Sequence, residues 1–288
     1  MSFDKSKALK KIIIHAWDTI RVYAVHHRKE LVINKNLKFV ESDFEIELSC
    51  IEDLGEDKIW EINKKNVKIK NVDLENETLR LLSCLEDYTY PVQIKVDQCG
   101  NFIEVINHKE WTENWRSKAK KLAIEEYDVN GNLEVFQKFY EVILNQRKFI
   151  ENRAKEAYWN LLFINFRIAV PIDKNYTTDQ ACYWDLAVVG RQEIKGHNST
   201  DLVNDNFVMN FKAHDNLDKH LIERIVDRYG LEKGADFFSS KMNATIDVEI
   251  ENETRKLNYK SALIEFNVEN QFSYSENITI KFSTEIEK

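Results

Sequence analysis

Period-two alternation of apolar and polar residues recurs along this chain more than any other pattern. It restricts the fold to antiparallel strands with one buried and one wet face. "DFEIELSC" (43–50) sets Phe44, Ile46, Leu48 and Cys50 against Glu45, Glu47 and Ser49. "KIWEINKKNVKIKN" (58–71) continues with Trp60 and Ile62, then Val67 and Ile69, with lysines between them. Toward the C-terminus, Ile246, Val248 and Ile250 alternate with Asp247 and Glu249. Ile264, Phe266 and Val268 alternate with Glu265 and Asn267, and Ile278, Ile280 and Phe282 with Thr279, Lys281 and Ser283. These three segments predict a meander. "WDLAVVG" (184–190) and "FVMNFKAH" (207–214) predict two further strands. "TIRVYAVH" (19–26) reads as a strand with Ile20, Val22 and Ala24 on one face, after a short helix through Leu9, Ile12, Ile13 and Trp17.

Helical spacing appears in four further places. Residues 74–88 carry Leu74, Leu81, Leu82 and Leu85 on one side, and "DNLDKHLIERIVDRYG" (215–230) carries Leu217, Leu221, Ile225 and Tyr229, with Gly230 placed as a C′ glycine. Leu133 to Val170 reads as one long helix or two in tandem, ended by Pro171. The fourth place follows "YPVQIKVDQCGNFIEVINHKEW" (90–111). There Pro91 opens a strand, Cys99-Gly100 or Gly100-Asn101 turns it, and the return strand 102–106 is placed inside the sheet. Asn107 with Glu110 forms a capping-box pattern, and Ile106 with Trp111 a hydrophobic staple, for the helix that follows. This stretch resembles a pattern in bacterial proteins, particularly of Bacteroidota type; the resemblance implies no chemistry.

The expected architecture is therefore α+β: curved antiparallel sheets packed against helices, two β-rich halves joined by a long central helical segment. Its parts are residues 1–127 (α+β, ending in a capped helix), 128–170 (the central helix or helix pair) and 171–288 (α+β, with the meander).

Composition removes several function classes. Hydrophobic residues make up 43% of the 288, including 16 Phe and 6 Trp, enough for a packed core. Only 7 Gly and 2 Pro occur, which disfavours doubly wound folds with glycine-rich phosphate loops. A net charge of −8 works against nucleic-acid binding. Cys50, Cys84, Cys99 and Cys182 form no C-x-x-C pair, so neither a metal nor a redox motif is indicated, and buried thiols in a reducing compartment are expected. The most apolar run, 158–170, contains Asn160, Asn165 and Arg167, so membrane insertion is not expected. The N-terminal apolar patch "IIIHAW" is too short for a signal core, which places the protein in the cytoplasm with signal-independent export left open. No P-loop, G-x-G-x-x-G or H-E-x-x-H occurs, and no cofactor is expected.

Histidines offer little. His26 and His27 fall on opposite faces of one strand, and His214 and His220 do not align. His15, His108 and His197 stand alone. Ser199 in "GHNST" (196–200) lies in a segment read as a loop without a nucleophile elbow. The sharpest catalytic candidates are Asp185, Glu193 and Lys195. Their D…ExK arrangement in "WDLAVVGRQEIKG" (184–196) resembles the core of the PD-(D/E)xK nuclease superfamily. The resemblance implies two carboxylates on Mg²⁺ and a lysine orienting the attacking water.

The first functional expectation is a non-catalytic cytoplasmic bacterial protein that binds another protein, as adaptor, immunity-type partner or subunit of a larger assembly such as a secretion or injection machine. The second is a carrier that holds a hydrophobic ligand between curved sheet and helices. The third is the Mg-dependent nuclease.

Overall fold

The computed structural model describes residues 19–71, 89–97, 101–113, 116–117, 138–153, 156–163, 176–186, 190–216, 219–232, 240–254, 256–268 and 271–287. Eleven strands form one antiparallel sheet: β1 (Thr19–Ile33), β2 (Asn36–Asp53), β3 (Lys58–Lys70), β4 (Val92–Val96), β5 (Phe102–Val105), β6 (Tyr176–Leu186), β7 (Gly190–Val203), β8 (Asn206–Asn216), β9 (Lys241–Glu251), β10 (Leu257–Val268) and β11 (Phe272–Glu287). Their order is β5-β4-β3-β2-β1-β11-β10-β9-β8-β7-β6. Two meanders become one sheet because β1 lies along β11, with Thr19 opposite Glu287 and Ile33 opposite Phe272. Five described helical segments accompany it: α1 (108–113), α2 (138–144), α3 (Gln146–Arg153), α4 (Ala157–Phe163) and α5 (Lys219–Tyr229).

The expected α+β fold with two β-rich halves and a long central helical segment is overturned. Strand dominates, and the halves meet edge to edge through β1 and β11 rather than through a helix. Of the helix expected over 133–170, the described residues 138–153 and 156–163 are helical but interrupted, and the rest, with the stop at Pro171, lies outside the described residues. The Asn145 side chain accepts a hydrogen bond from the Lys148 amide at 3.0 Å, an N-cap inside what reads as a continuous pattern, and α4 begins afresh at Ala157. Short helices of this kind lie on a sheet; they do not bridge two sheets.

Turn chemistry fixes the long hairpins. Asn34 and Lys35 have φ of 48° and 67°, and Asn204 and Asp205 have 49° and 63°, the paired left-handed residues of a type I′ turn between β1 and β2 and between β7 and β8. Asx residues tolerate that region best. Helix α5 ends as its sequence predicts: Gly230 has φ of 62°, and the Leu231 amide donates to the Val226 carbonyl.

Several local readings change. On β1 the buried row is Tyr23 and Val25, while Ala24 is exposed; a bulge between Val22 and Tyr23 buries Val22 beside them. Strand β5 is an edge strand with Ile103 exposed, not an inner one. "GHNST" is part of β7. Asn107 does start α1 with its carbonyl, but its side chain turns to β4, accepting from the Gln93 amide at 2.9 Å and donating to the Pro91 carbonyl. Ile106 is exposed, and Trp111 packs on Phe149 instead of a staple partner. The helices expected before residue 18 and over 74–88, and the Cys99-Gly100 turn, lie outside the described residues.

Two contacts show how strongly the sheet curls. Trp184 on the edge strand β6 donates to the Glu276 carboxylate on β11 at 3.0 Å. Five strand spacings separate these positions, ~24 Å in a flat sheet. At the other side, α4 sets Trp159 edge-on against Phe102 of β5, while its Leu162 carbonyl accepts from Lys260 of β10. Six spacings, ~29 Å if flat, are thus bridged by a helix only ~10 Å long. The sheet is an incomplete cylinder wrapped around α4.

Close strand approach within the curl depends on one glycine. A Cβ on Gly196 would lie 2.3 Å from the Lys212 carbonyl oxygen and 2.8 Å from the Phe211 ring. Gly196→Ala is expected to lower stability by about 2–3 kcal/mol, read from the urea midpoint, because backbone would have to move.

Candidate functional site

The inner face of the curled sheet is apolar over most of its strands. Val25, Ile46, Ile62, Ile94, Ile246 and Ile280, from six different strands, are each at most 2% exposed. Helix α4 lies against this face with Ala157, Tyr158, Trp159, Leu161, Leu162 and Phe163 all buried. Its rings meet the sheet edge-on: Tyr158 on Phe44 at 5.2 Å, Trp159 on Phe102 at 5.3 Å, and Phe163 on Phe102 at 5.4 Å.

Polar groups within this interior are few and specific. Glu276, 1% exposed, takes four hydrogen bonds or ion pairs. His27 at 2.9 Å and Lys29 at 3.1 Å meet Oε1, and the Trp184 indole at 3.0 Å and Tyr274 hydroxyl at 3.1 Å meet Oε2. Burial alone would raise this carboxyl. The His27 hydrogen bond, the Lys29 charge and the Trp184 donor outweigh it and hold it down at about 2. The cluster clasps the edge strand β6 to the middle of the sheet.

Lys260 is another buried charge. It is fully buried on β10, and its ammonium donates to the Leu162 carbonyl near the C-terminal end of α4 at 2.8 Å, where the helix dipole favours a cation. Burial lowers its pKa from 10.5 to about 7. The folded value lies below the unfolded one, so this group opposes folding fully below pH 7, and the penalty fades as pH rises toward 10.5. Lys260→Met should therefore be more stable than wild type at pH 6, by about 2 kcal/mol, with the difference shrinking toward pH 10. Thermal melts across that range check it.

Helix α4 is not fully satisfied in its seat. The Trp159 indole nitrogen and the Asn160 side-chain nitrogen are buried without a hydrogen-bond partner. Each such group costs about 1–3 kcal/mol.

The outer face is a different surface, laced with ion pairs. His26, Glu41 and Asp43 place ligand atoms within 4.8 Å of one another, the one such grouping among the described residues. Lys70 already sits 2.7 Å from Glu41 and 3.2 Å from Asp43, and Arg28 approaches Glu41. The Lys70 hydrogen bond lowers the Glu41 pKa, and the His26 hydrogen bond lowers that of Asp43. A lysine occupies the cation's role here.

The sequence candidates for catalysis fall on β6 and β7. The Asp185 backbone lies opposite Arg191, and Glu193 opposite Tyr183. Glu193 and Lys195 are exposed, 3.5 Å apart as an ion pair, and Tyr183 donates to Glu193. Beside them an open cavity of about 400 Å³ is lined by Asp179, Ala181, Lys195, Gly196 and His197. As expected, His26 and His27 point apart, His26 to Asp43 outside and His27 to Glu276 inside. His108 bonds the Ile143 carbonyl, His214 bonds Asn243, and His220 pairs with Glu223.

Sequence reading missed Glu276 and Lys260, yet a signal existed. Glu276 interrupts the apolar row Phe272, Tyr274, Ile278, Ile280, and Lys260 shares a row with Ala262, Ile264 and Phe266. An ionisable residue inside an otherwise apolar period-two row is a buried charge by register.

Comparison with solved structures gives a likeness of fold. A structure described as lipid–protein interactions in lipovitellin aligns with a TM-score of 0.50 at 7% identity, over 95% of this chain and 26% of that one. The chain thus spans about a quarter of the lipovitellin chain that it matches. No family model matches the sequence, and no curated protein matches it. Among the described residues no helix is long and apolar enough to cross a membrane.

Proposed function

We propose that this protein is a carrier that takes up a hydrophobic ligand between the concave face of the sheet and its helices. The observation that carries the reading is the seating of α4. One short helix, buried on nearly every residue, reaches both β5 and β10, so the space it fills is an apolar furrow enclosed by the curl of the sheet. Such a furrow suits an alkyl or acyl chain, whose burial contributes about 0.8 kcal/mol per methylene. The likeness of fold to lipovitellin, in a structure concerned with lipid–protein interactions, supports the same reading.

The test is a titration of delipidated protein with the neutral fluorophore N-phenyl-1-naphthylamine, which brightens in apolar surroundings. A saturable, equimolar rise that oleyl alcohol reverses is expected. A rise that never saturates, or none, would remove the carrier reading.

A protein partner is the second reading. Sheet edges at β5 and β6 are unpaired by any described strand, and Ile103 and Tyr183 on them are exposed. Charge placed on β6 by Tyr183→Lys would abolish edge pairing and leave fluorophore uptake unchanged.

A further inference from the structure

The hairpin of β6 and β7 leaves the sheet part-way along its length. Its two strands pair without a bulge from Tyr176 opposite Thr200 to Leu186 opposite Gly190. The ladder between β7 and β8 is shorter and begins only at His197 opposite Lys212. Strand β8 itself runs on to Asn216, with β9 beside it to the end. The hairpin therefore parts from β8 at Gly196. Beyond that point, residues 181–186 and 190–195 share a ladder with each other and with no other described strand.

Gly196 suits the place of parting. A Cβ there would lie 2.3 Å from the Lys212 carbonyl oxygen, so β7 passes the β8 backbone at a distance that only glycine allows. The parted end folds inward: Cys182, Trp184, Leu186 and Ile194 are buried, while Tyr183 on the opposite face is exposed. The Trp184 indole donates to the Glu276 carboxylate on β11, and β6 touches α4, the helix that fills the furrow. A two-stranded hairpin has little stability of its own. Its seat depends on that buried face and that bond, which makes it a unit of local opening. Lifting it costs one apolar face and one bond. Parting any inner pair of strands would break a whole ladder.

We propose that the β6–β7 hairpin beyond Gly196 is a lid on the furrow, hinged at that glycine and latched by Trp184 on Glu276, and that ligand enters when it lifts. This rests on the carrier reading and names the gate of that same furrow.

Cys182 reports on the lid from within. Burial pushes its thiol up to about 12, so it reacts with a maleimide only once exposed. Cys50, buried on β2, reports global unfolding in the same sample. A brief pulse of N-ethylmaleimide, read peptide by peptide by mass spectrometry, gives both rates. In the wild-type protein Cys182 is expected to label at least about tenfold faster than Cys50, and low urea should speed Cys50 alone. Trp184→Phe removes the latch and keeps a ring in place. Cys182 labelling is then expected to quicken about ten- to hundredfold. The rate of N-phenyl-1-naphthylamine uptake, followed by stopped flow, should quicken with it. Equal labelling of the two thiols in the wild type, rising together with urea, would overturn the lid. Faster Cys182 labelling with an unchanged uptake rate would overturn the gate while leaving the carrier reading in place. No uptake by either protein would remove the carrier reading and the gate with it. The wild-type comparison needs no variant, so a folding defect in Trp184→Phe cannot rescue the idea.

Discussion

Glu276→Ala is expected to lower the free energy of unfolding by about 3–5 kcal/mol, among the largest single effects available in this chain. The side chain is buried, and both its oxygens are used twice. Its removal strands the Trp184 indole and the Tyr274 hydroxyl without acceptors, and leaves His27 and Lys29 facing each other across a void. Trp184 is itself wholly buried on the edge strand β6, so the loss loosens the curl as well as the cluster. Glu276→Gln keeps the shape and some of the bonds, and should cost less. The two variants differ from wild type in pH dependence too. Because its partners hold the Glu276 carboxyl down at about 2, against an ordinary 4.5, its contribution is whole above pH 4.5 and disappears as pH falls through 2. The acid branch of stability between those values should be shallower in both variants by about 3 kcal/mol. Urea midpoints at pH 7 and pH 2 measure this. A loss under 1 kcal/mol at pH 7 would show that the clasp does not hold β6.

Trp159→Ala is the second large effect. It deletes the biggest ring on α4, which touches Phe102, Tyr158 and Phe163, and leaves a cavity at the centre of the wrapped sheet. Losses of about 3–5 kcal/mol accompany such deletions. Trp159→Phe should cost only about 1 kcal/mol, since the smaller ring also removes an indole N–H that finds no acceptor. The carrier reading adds a consequence that core packing alone does not supply. With more of the furrow open, Trp159→Ala should take up N-phenyl-1-naphthylamine more tightly than wild type even as its melting temperature drops. Lower stability with unchanged uptake would make Trp159 a packing residue only.

Much of the sheet could be read from the sequence because period two is a local property. The faces of β2, β3, β9, β10 and β11 follow from which residues alternate, and α5 from its stripe and its C′ glycine. What could not be read is curvature. Nothing in "TIRVYAVH" says that β1 will pair with β11, more than 250 positions later in the sequence, rather than end a separate sheet. Nothing in 133–170 distinguishes a helix that bridges from several that fold onto a surface, apart from Asn145. That residue reads as helix interior until its side chain is seen capping Lys148. Asn107 failed in the opposite sense: a capping pattern was present, and the strand beside it offered better partners. Of the candidate site, the interior charges were visible as breaks in apolar rows. Their meeting with Trp184 and Leu162 was not, because it depends on how far the sheet rolls.

The most direct measurement of the central claim is native mass spectrometry of the full chain, expressed and purified without detergent. A carrier purified in this way should hold a discrete added mass in the range of one long-chain hydrophobic ligand, removable by solvent extraction and restored by oleyl alcohol. A spectrum holding the bare chain alone, before and after oleyl alcohol is supplied, would contradict it.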